Sequence, residues 1–171
     1  MRSARHVVGI LLAAFTAGAT AQSPIGHAPL MGDRQHAMAK PSTVEYLYPE
    51  QISVPAGTAS PVVLHFRVAE GFHVNSHTPR EDYLIPTALA FPAESGVRLA
   101  AAAYPPGKDV TLPLDPGTKL NVYTGEFAIQ AHIVAAHGDH LVQAKLHYPA
   151  CDQNACMPPK TITVPIDVIG K

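Results

Sequence analysis

Apolar and polar residues alternate with a period of two through most of this chain, and that period admits only strand-built folds. Val62, Leu64, Phe66 and Val68 alternate with Val63, His65, Arg67 and Ala69, giving one apolar and one mostly polar face, the pattern of a half-buried strand. Phe127, Ile129, Ala131 and Ile133 repeat it, as do Val142, Ala144, Leu146 and Tyr148. His137-Gly138-Asp139-His140 falls between these two runs as turn residues, so the spacing predicts that they form an antiparallel hairpin. Ile162, Val164, Ile166 and Val168 make a last alternating strand, where Pro165 on the other face calls for an edge position or a bulge.

Weaker strand signals cover Gln51 to Val54, Phe72 to Asn75, Leu84 to Phe91, Val97 to Tyr104 and Leu120 to Thr124. The alanines from Ala100 to Ala103 are compatible with a helix, but Pro105 and Pro106 stop one almost at once. Seventeen prolines in 171 residues argue the same way, since proline is poorly tolerated inside helices. Seven to nine short antiparallel strands joined by proline- and glycine-rich turns describe an all-β fold, an immunoglobulin-like β-sandwich. The antibody hallmark is missing: the chain has no tryptophan, and its two cysteines are too close in sequence to pin two sheets together. No internal repeat is present.

The N-terminus sets the compartment. Arg2 and Arg5 precede an apolar run from Val7 to Ala17 and a small-x-small site, Ala19-Thr20-Ala21, which reads as a secretory signal peptide over residues 1–21 cleaved before Gln22. The expected location is therefore outside the cytoplasm. No cysteine stands at the cleavage site to carry a lipid, the arginines are not adjacent, and no segment reaches the roughly 20 apolar residues of a membrane span. Residues 22–43 are expected to be a flexible leader and 44–171 a single domain, monomeric and large enough for one core. In the leader, His27, Met31, His36 and Met38 are ligand types that suit copper, but no tight repeat of ligands is present and a linker of mixed composition is the default reading.

Net charge is −1 and no run of lysine or arginine occurs, which leaves no electrostatic footprint for nucleic acid. Partners are expected to be proteins or small molecules. His65, His132 and His147 fall on the outward faces of their strands, His73 and His77 bracket Val74-Asn75-Ser76, and all are read as solvated; His137 and His140 share a turn but make too few ligands for a firm metal site. No metal or cofactor is called for. No Ser-His-Asp or paired-carboxylate arrangement marks a hydrolase.

Both cysteines lie in Tyr148-Pro-Ala-Cys-Asp-Gln-Asn-Ala-Cys-Met-Pro-Pro159, at the mouth of a hairpin between the last two strong strands. Asp152-Gln153-Asn154 is turn-forming, so a chain reversal brings Cys151 and Cys156 within disulfide reach. Two readings follow. As a structural staple, so short a loop contributes only about 2 kcal/mol on the chain-entropy model. As a redox pair, one thiolate attacks a partner's disulfide and its neighbour resolves the mixed disulfide. Asp152 disfavours a thiolate at Cys151, whereas Lys160 and His147, if turned inward, would favour one.

Three stretches together resemble the N-terminal periplasmic domain of the bacterial thiol:disulfide interchange reductase DsbD. They are Gly71-Phe72-His73-Val74-Asn75-Ser76-His77 leading to Leu84-Ile85-Pro86-Thr87, then Tyr148 to Pro159, then Thr161-Ile162-Thr163-Val164-Pro165, and the likeness extends from about Val44 to Val168. The resemblance implies an immunoglobulin-like fold and a protein-disulfide reductase type of oxidoreductase in which Cys151 and Cys156 are the catalytic redox pair, Cys156 being the one that meets the partner. It implies as partners periplasmic thiol or disulfide proteins, and a setting in cytochrome c biogenesis. The chain ends at Lys171 without a membrane channel or a thioredoxin-like module, so the electron donor is expected to be a separate membrane or thioredoxin-like reductase. Four residues separate the cysteines here where the best-known members have five. The region of the family's aromatic cap loop, near Val110 to Lys119, offers Leu112 and Leu114, flanked by Tyr104 and Tyr123. Two other functions compete on residues alone: an immunoglobulin-like binding module with a bracing disulfide, and a soft-metal carrier.

Overall fold

The computed structural model describes residues 42–48, 51–112 and 115–171. The expected signal peptide and, apart from Ser42 and Thr43, the expected leader lie outside the described residues, and with them His27, Met31, His36 and Met38; Leu114 lies outside them too.

The strong alternating runs bury the face that the period assigns them. In β3 (Ser60–Val68), β9 (Glu126–Ala135), β10 (Gly138–Tyr148) and β12 (Lys160–Gly170), the core side chains Leu64, Phe66, Ile129, Val142, Ala144, Leu146, Tyr148 and Val164 are fully enclosed. One antiparallel sheet has the order β1 (Val44–Leu47), β3, β9, β6 (Val97–Ala103). A second has the order β2 (Gln51–Val54), β12, β10, β5 (Ala88–Ala90), with β2 parallel to β12 and the other neighbours antiparallel. The buried residues of both sheets form one cluster, so the two sheets pack face to face. Phe66 sits at its centre, its ring 5.3 Å from Phe127 and 5.5 Å from Tyr46. This is the immunoglobulin-like β-sandwich expected from the alternation.

A third sheet, in the order β11 (Ala150–Cys151), β4 (His73–Asn75), β8 (Asp115–Tyr123), β7 (Lys108–Leu112), stands beside the sandwich and carries the cysteines. It brings the strands among the described residues to twelve, above the seven to nine expected, mainly through short pieces too brief to show a period. The region near Val110 to Lys119 is largely the β7–β8 hairpin.

Two expectations are corrected, and a third, for Pro165, is met only locally. β9 and β10 do not form a hairpin: β9 already has β3 on one edge and β6 on the other, so the chain crosses to the opposite sheet, where β10 pairs with β12 from Gly138↔Gly170 to Tyr148↔Lys160. Gly138 makes the crossing at φ 103°, a conformation that side-chain-bearing residues avoid. Pro165 lies at no bulge, and the edge it calls for is a local one. β12 runs between β10 and β2, its ladder with β10 passes Gln143↔Pro165 without a shift, and the ladder with β2 begins at Asp167, beyond the proline. The strand expected over Leu84 to Phe91 shrinks to β5, because Leu84 turns back to bond Glu81 and Ile85 is tied to β4. Among the described residues no helix is long and apolar enough to cross a membrane.

Candidate functional site

The site is built where β10 ends. Tyr148 anchors that point: its side chain is fully buried and its hydroxyl accepts a hydrogen bond from Thr43 Oγ1 at 3.2 Å. Past the buried Pro149 the chain leaves the sandwich and enters the third sheet, pairing Ala150 with Val74 and Cys151 with His73. It then reverses. The Asp152 carboxylate accepts the backbone N–H groups of Asn154 and Ala155 at 2.7 and 2.8 Å, the Asp152 N–H reaches Ala155 O, and Met157 N–H reaches Ala150 O. This is the turn read from Asp152-Gln153-Asn154, and it sets Cys151 against Cys156 in a disulfide with alpha carbons 3.9 Å apart. The chain rejoins the sandwich at Lys160, opposite Tyr148.

The two sulfur-bearing residues are unequal. Cys151 is 3 % exposed, whereas Cys156 is open to solvent. Beside them runs an apolar groove of about 360 Å³, with Pro149, Met157 and Pro159 along the cysteine loop, Tyr83, Leu84 and Ile85 on one wall, and Thr118 and Leu120 of β8 on the other. Tyr83 and Ile85 are 76 % and 43 % exposed, so the groove has an apolar lip facing water. The flanking tyrosines expected near a cap do not line it. Tyr104 OH accepts from Leu89 N–H, and Tyr123 OH accepts from His77 N–H and donates to Pro105 O, so both are committed to bracing neighbouring loops.

The electrostatics are local. The N–H groups of Asn154 and Ala155 hold the Asp152 carboxyl below the usual carboxylate range. Burial pushes the His73 imidazole below 6.5, with Asp152 pulling the other way. The solvated reading of His73 is therefore corrected: it is 7 % exposed and lies opposite Cys151 in the β4–β11 pair. Alternation missed it because all three residues of β4 are buried, which erases the period. His77 stacks on Tyr104 with centroids 3.7 Å apart, and His147 bonds Thr161 Oγ1 rather than turning toward the cysteines. His65 and His132 are exposed. No group of three or more His, Cys, Asp or Glu side chains among the described residues is placed to hold a metal ion.

With this geometry in place, the relatives are informative. The family model described as the N-terminal part of thiol:disulfide interchange protein DsbD matches residues 43–167. The chain belongs to the DsbD N-terminal family. A comparison with curated proteins returns no match. Among solved structures, the crystal structure of the Neisseria meningitidis DsbD N-terminal domain in the reduced form is similar at 17 % identity, over 67 % of this chain and 82 % of that one, with a TM-score of 0.45.

The family is one of thiol:disulfide interchange proteins, and the described residues hold one bridged cysteine pair, Cys151–Cys156. It also accounts for two sequence stretches that lie apart in the chain. Gly71 to His77 and Leu84 to Thr87 form one unit: Asn75 Nδ2 donates to Ile85 O at 2.9 Å, Thr87 Oγ1 to Asn75 O at 2.6 Å, and Thr87 N–H to Ser76 O. In this DsbD-type domain the strand that pairs with Cys151 thus also fixes the groove wall beside it.

Proposed function

We propose that this protein is a periplasmic thiol:disulfide exchange protein, delivered by a cleaved signal peptide, that relays electrons between a separate reductase and partner proteins through Cys151 and Cys156. The observation that carries the reading is the asymmetry of the bridge, one sulfur-bearing residue open to a visitor and the other enclosed, with an apolar groove alongside. An incoming thiolate attacks Cys156 Sγ and forms a mixed disulfide. The bond to Cys151 breaks with its electron pair on the Cys151 sulfur, and a second thiolate then releases the reduced pair. In the forward direction Cys156 attacks a partner's disulfide and Cys151 closes the bridge. The apolar groove gives the partner's flanking segment surface to bury, which holds its sulfur in line.

Equilibration of the pair against glutathione tests this. A redox protein should come to a measurable ratio of dithiol to disulfide, at a potential above the roughly −300 mV below which structural bridges lie. A bridge that stays closed against that buffer would make it a brace and the domain a binding module.

A further inference from the structure

Resting on the exchange reading above, we propose that His73 is the general base of the closing step: its Nε2 takes the proton of the Cys151 thiol as that sulfur attacks Cys156. His73 lies directly opposite Cys151 in the β4–β11 pair. Residues so placed in antiparallel strands project to the same face with beta carbons about 4.5–5.5 Å apart. Both are enclosed, at 7 % and 3 % exposure.

The decisive detail is an unpaired atom. In the disulfide form His73 Nε2 is buried with no hydrogen-bond partner, the one buried side-chain nitrogen or oxygen so left among the described residues. A buried polar atom left unpaired is costly, and native structures retain few of them. A bridged sulfur has neither proton nor charge to offer the ring. Once the bridge is open, the Cys151 thiol can donate to an unprotonated Nε2, and a Cys151 thiolate can accept from a protonated one. An open bridge is thus the state in which Cys151 could supply the partner that the ring nitrogen lacks.

The charges around the ring suit a base. Asp152, on the loop that closes the bridge, is the charged group acting on it. From the other side of β4, β8 brings Tyr123 opposite Val74, with its hydroxyl turned to His77 and Pro105. Burial keeps the imidazole neutral and ready to accept, and Asp152 favours the imidazolium that results. In the mixed disulfide, Nε2 takes the thiol proton and the sulfur's electron pair forms the bond to Cys156 Sγ. The bond from Cys156 to the partner breaks, and its pair leaves as the partner's thiolate. Two protein sulfurs are oxidised, the partner disulfide is reduced, and the imidazolium returns its proton to water or to the departing thiolate.

The test uses the reduced full chain and dithiobis-nitrobenzoate, an aromatic disulfide. The first release of nitrothiobenzoate reports attack by Cys156, and the second, independent of reagent concentration, reports closure by Cys151. His73→Gln is expected to slow the second release at neutral pH by about tenfold to a hundredfold and to leave the first unchanged. At about pH 10, above the ordinary thiol pKa of about 8.5, hydroxide removes the thiol proton without the ring and the difference should vanish, while a far-ultraviolet dichroism spectrum like that of the wild type shows separately that the variant is folded. Asp152→Asn should slow the same phase by a smaller factor. An unchanged second phase at neutral pH, equal slowing of both phases, or slowing that persists at high pH would each overturn the assignment. Closure needs no protein partner, so failure of the relay reading shows separately, as a wild-type chain that closes its bridge yet exchanges with no protein disulfide.

Discussion

Cys151 is enclosed at 3 % exposure while Cys156, bonded to it, is open to solvent. The same bond thus has one accessible end, and single substitutions should behave unequally. Cys151→Ser is expected to accumulate a mixed disulfide through Cys156, because the thiol that would resolve it is gone. Cys156→Ser leaves a buried thiol and should react at least about tenfold more slowly, since exchange requires access to the sulfur. Mass spectrometry after incubation with an oxidised thiol reagent reads both. Equal trapping by the two variants would remove the assigned order of attack.

The groove wall depends on one side-chain amide. Asn75 is 5 % exposed and its Nδ2 donates to Ile85 O. Asn75→Ala removes that bond and should cost about 0.5–1.5 kcal/mol, seen as a lower urea midpoint. The loosened Tyr83–Ile85 segment should also slow exchange with a protein disulfide more than exchange with a small reagent, because only the former uses the wall. A variant as stable and as fast as the wild type would show that the bond does not position the groove.

What the sequence disclosed follows from where burial is one-sided. Phe66, Ile129, Leu146 and Ile166 each stand on a strand with one covered face, so a period of two placed them correctly in the core. That period names the buried face and not the neighbouring strand, which is why β9 and β10 read as a hairpin although they lie in opposite sheets. The turn at Asp152 was legible because a short polar side chain can hold two backbone N–H groups locally. His73 was not, since β4 is covered on both faces. Tyr83 and Ile85 escaped notice for another reason: they act from a loop fixed by a bond to a distant strand, and no periodicity records such a bond.

Phe66 tests the sandwich itself. It is fully enclosed between the rings of Tyr46 and Phe127 and packs in the common core of both sheets. Phe66→Ala should destabilise the domain by about 3–5 kcal/mol through lost burial and the cavity left behind. Phe66→Leu should cost markedly less, because most of the volume is kept. Urea denaturation of the oxidised protein compares them, and near-equal midpoints for wild type and the alanine variant would contradict the packing described.

Burial of His73 should also make stability depend on pH in a definite window. Burial pushes its imidazole below the ordinary 6.5, and Asp152 opposes that push. As pH falls through about 6.5, the unfolded chain therefore binds a proton that the folded chain does not yet bind, and stability declines until the folded value is reached. Asp152 acts lower. Its carboxyl is held below the carboxylate range by Asn154 and Ala155, so its contribution is intact above about pH 4 and is lost only as pH falls through the depressed value. Between about pH 7.5 and pH 5 the two effects are separable. The urea midpoint of the oxidised wild type should drop across that range by more than the midpoint of His73→Gln, which has no ring to protonate. Parallel declines in the two proteins, or a steeper one in the variant, would mean that the enclosed imidazole takes up its proton as readily in the fold as outside it.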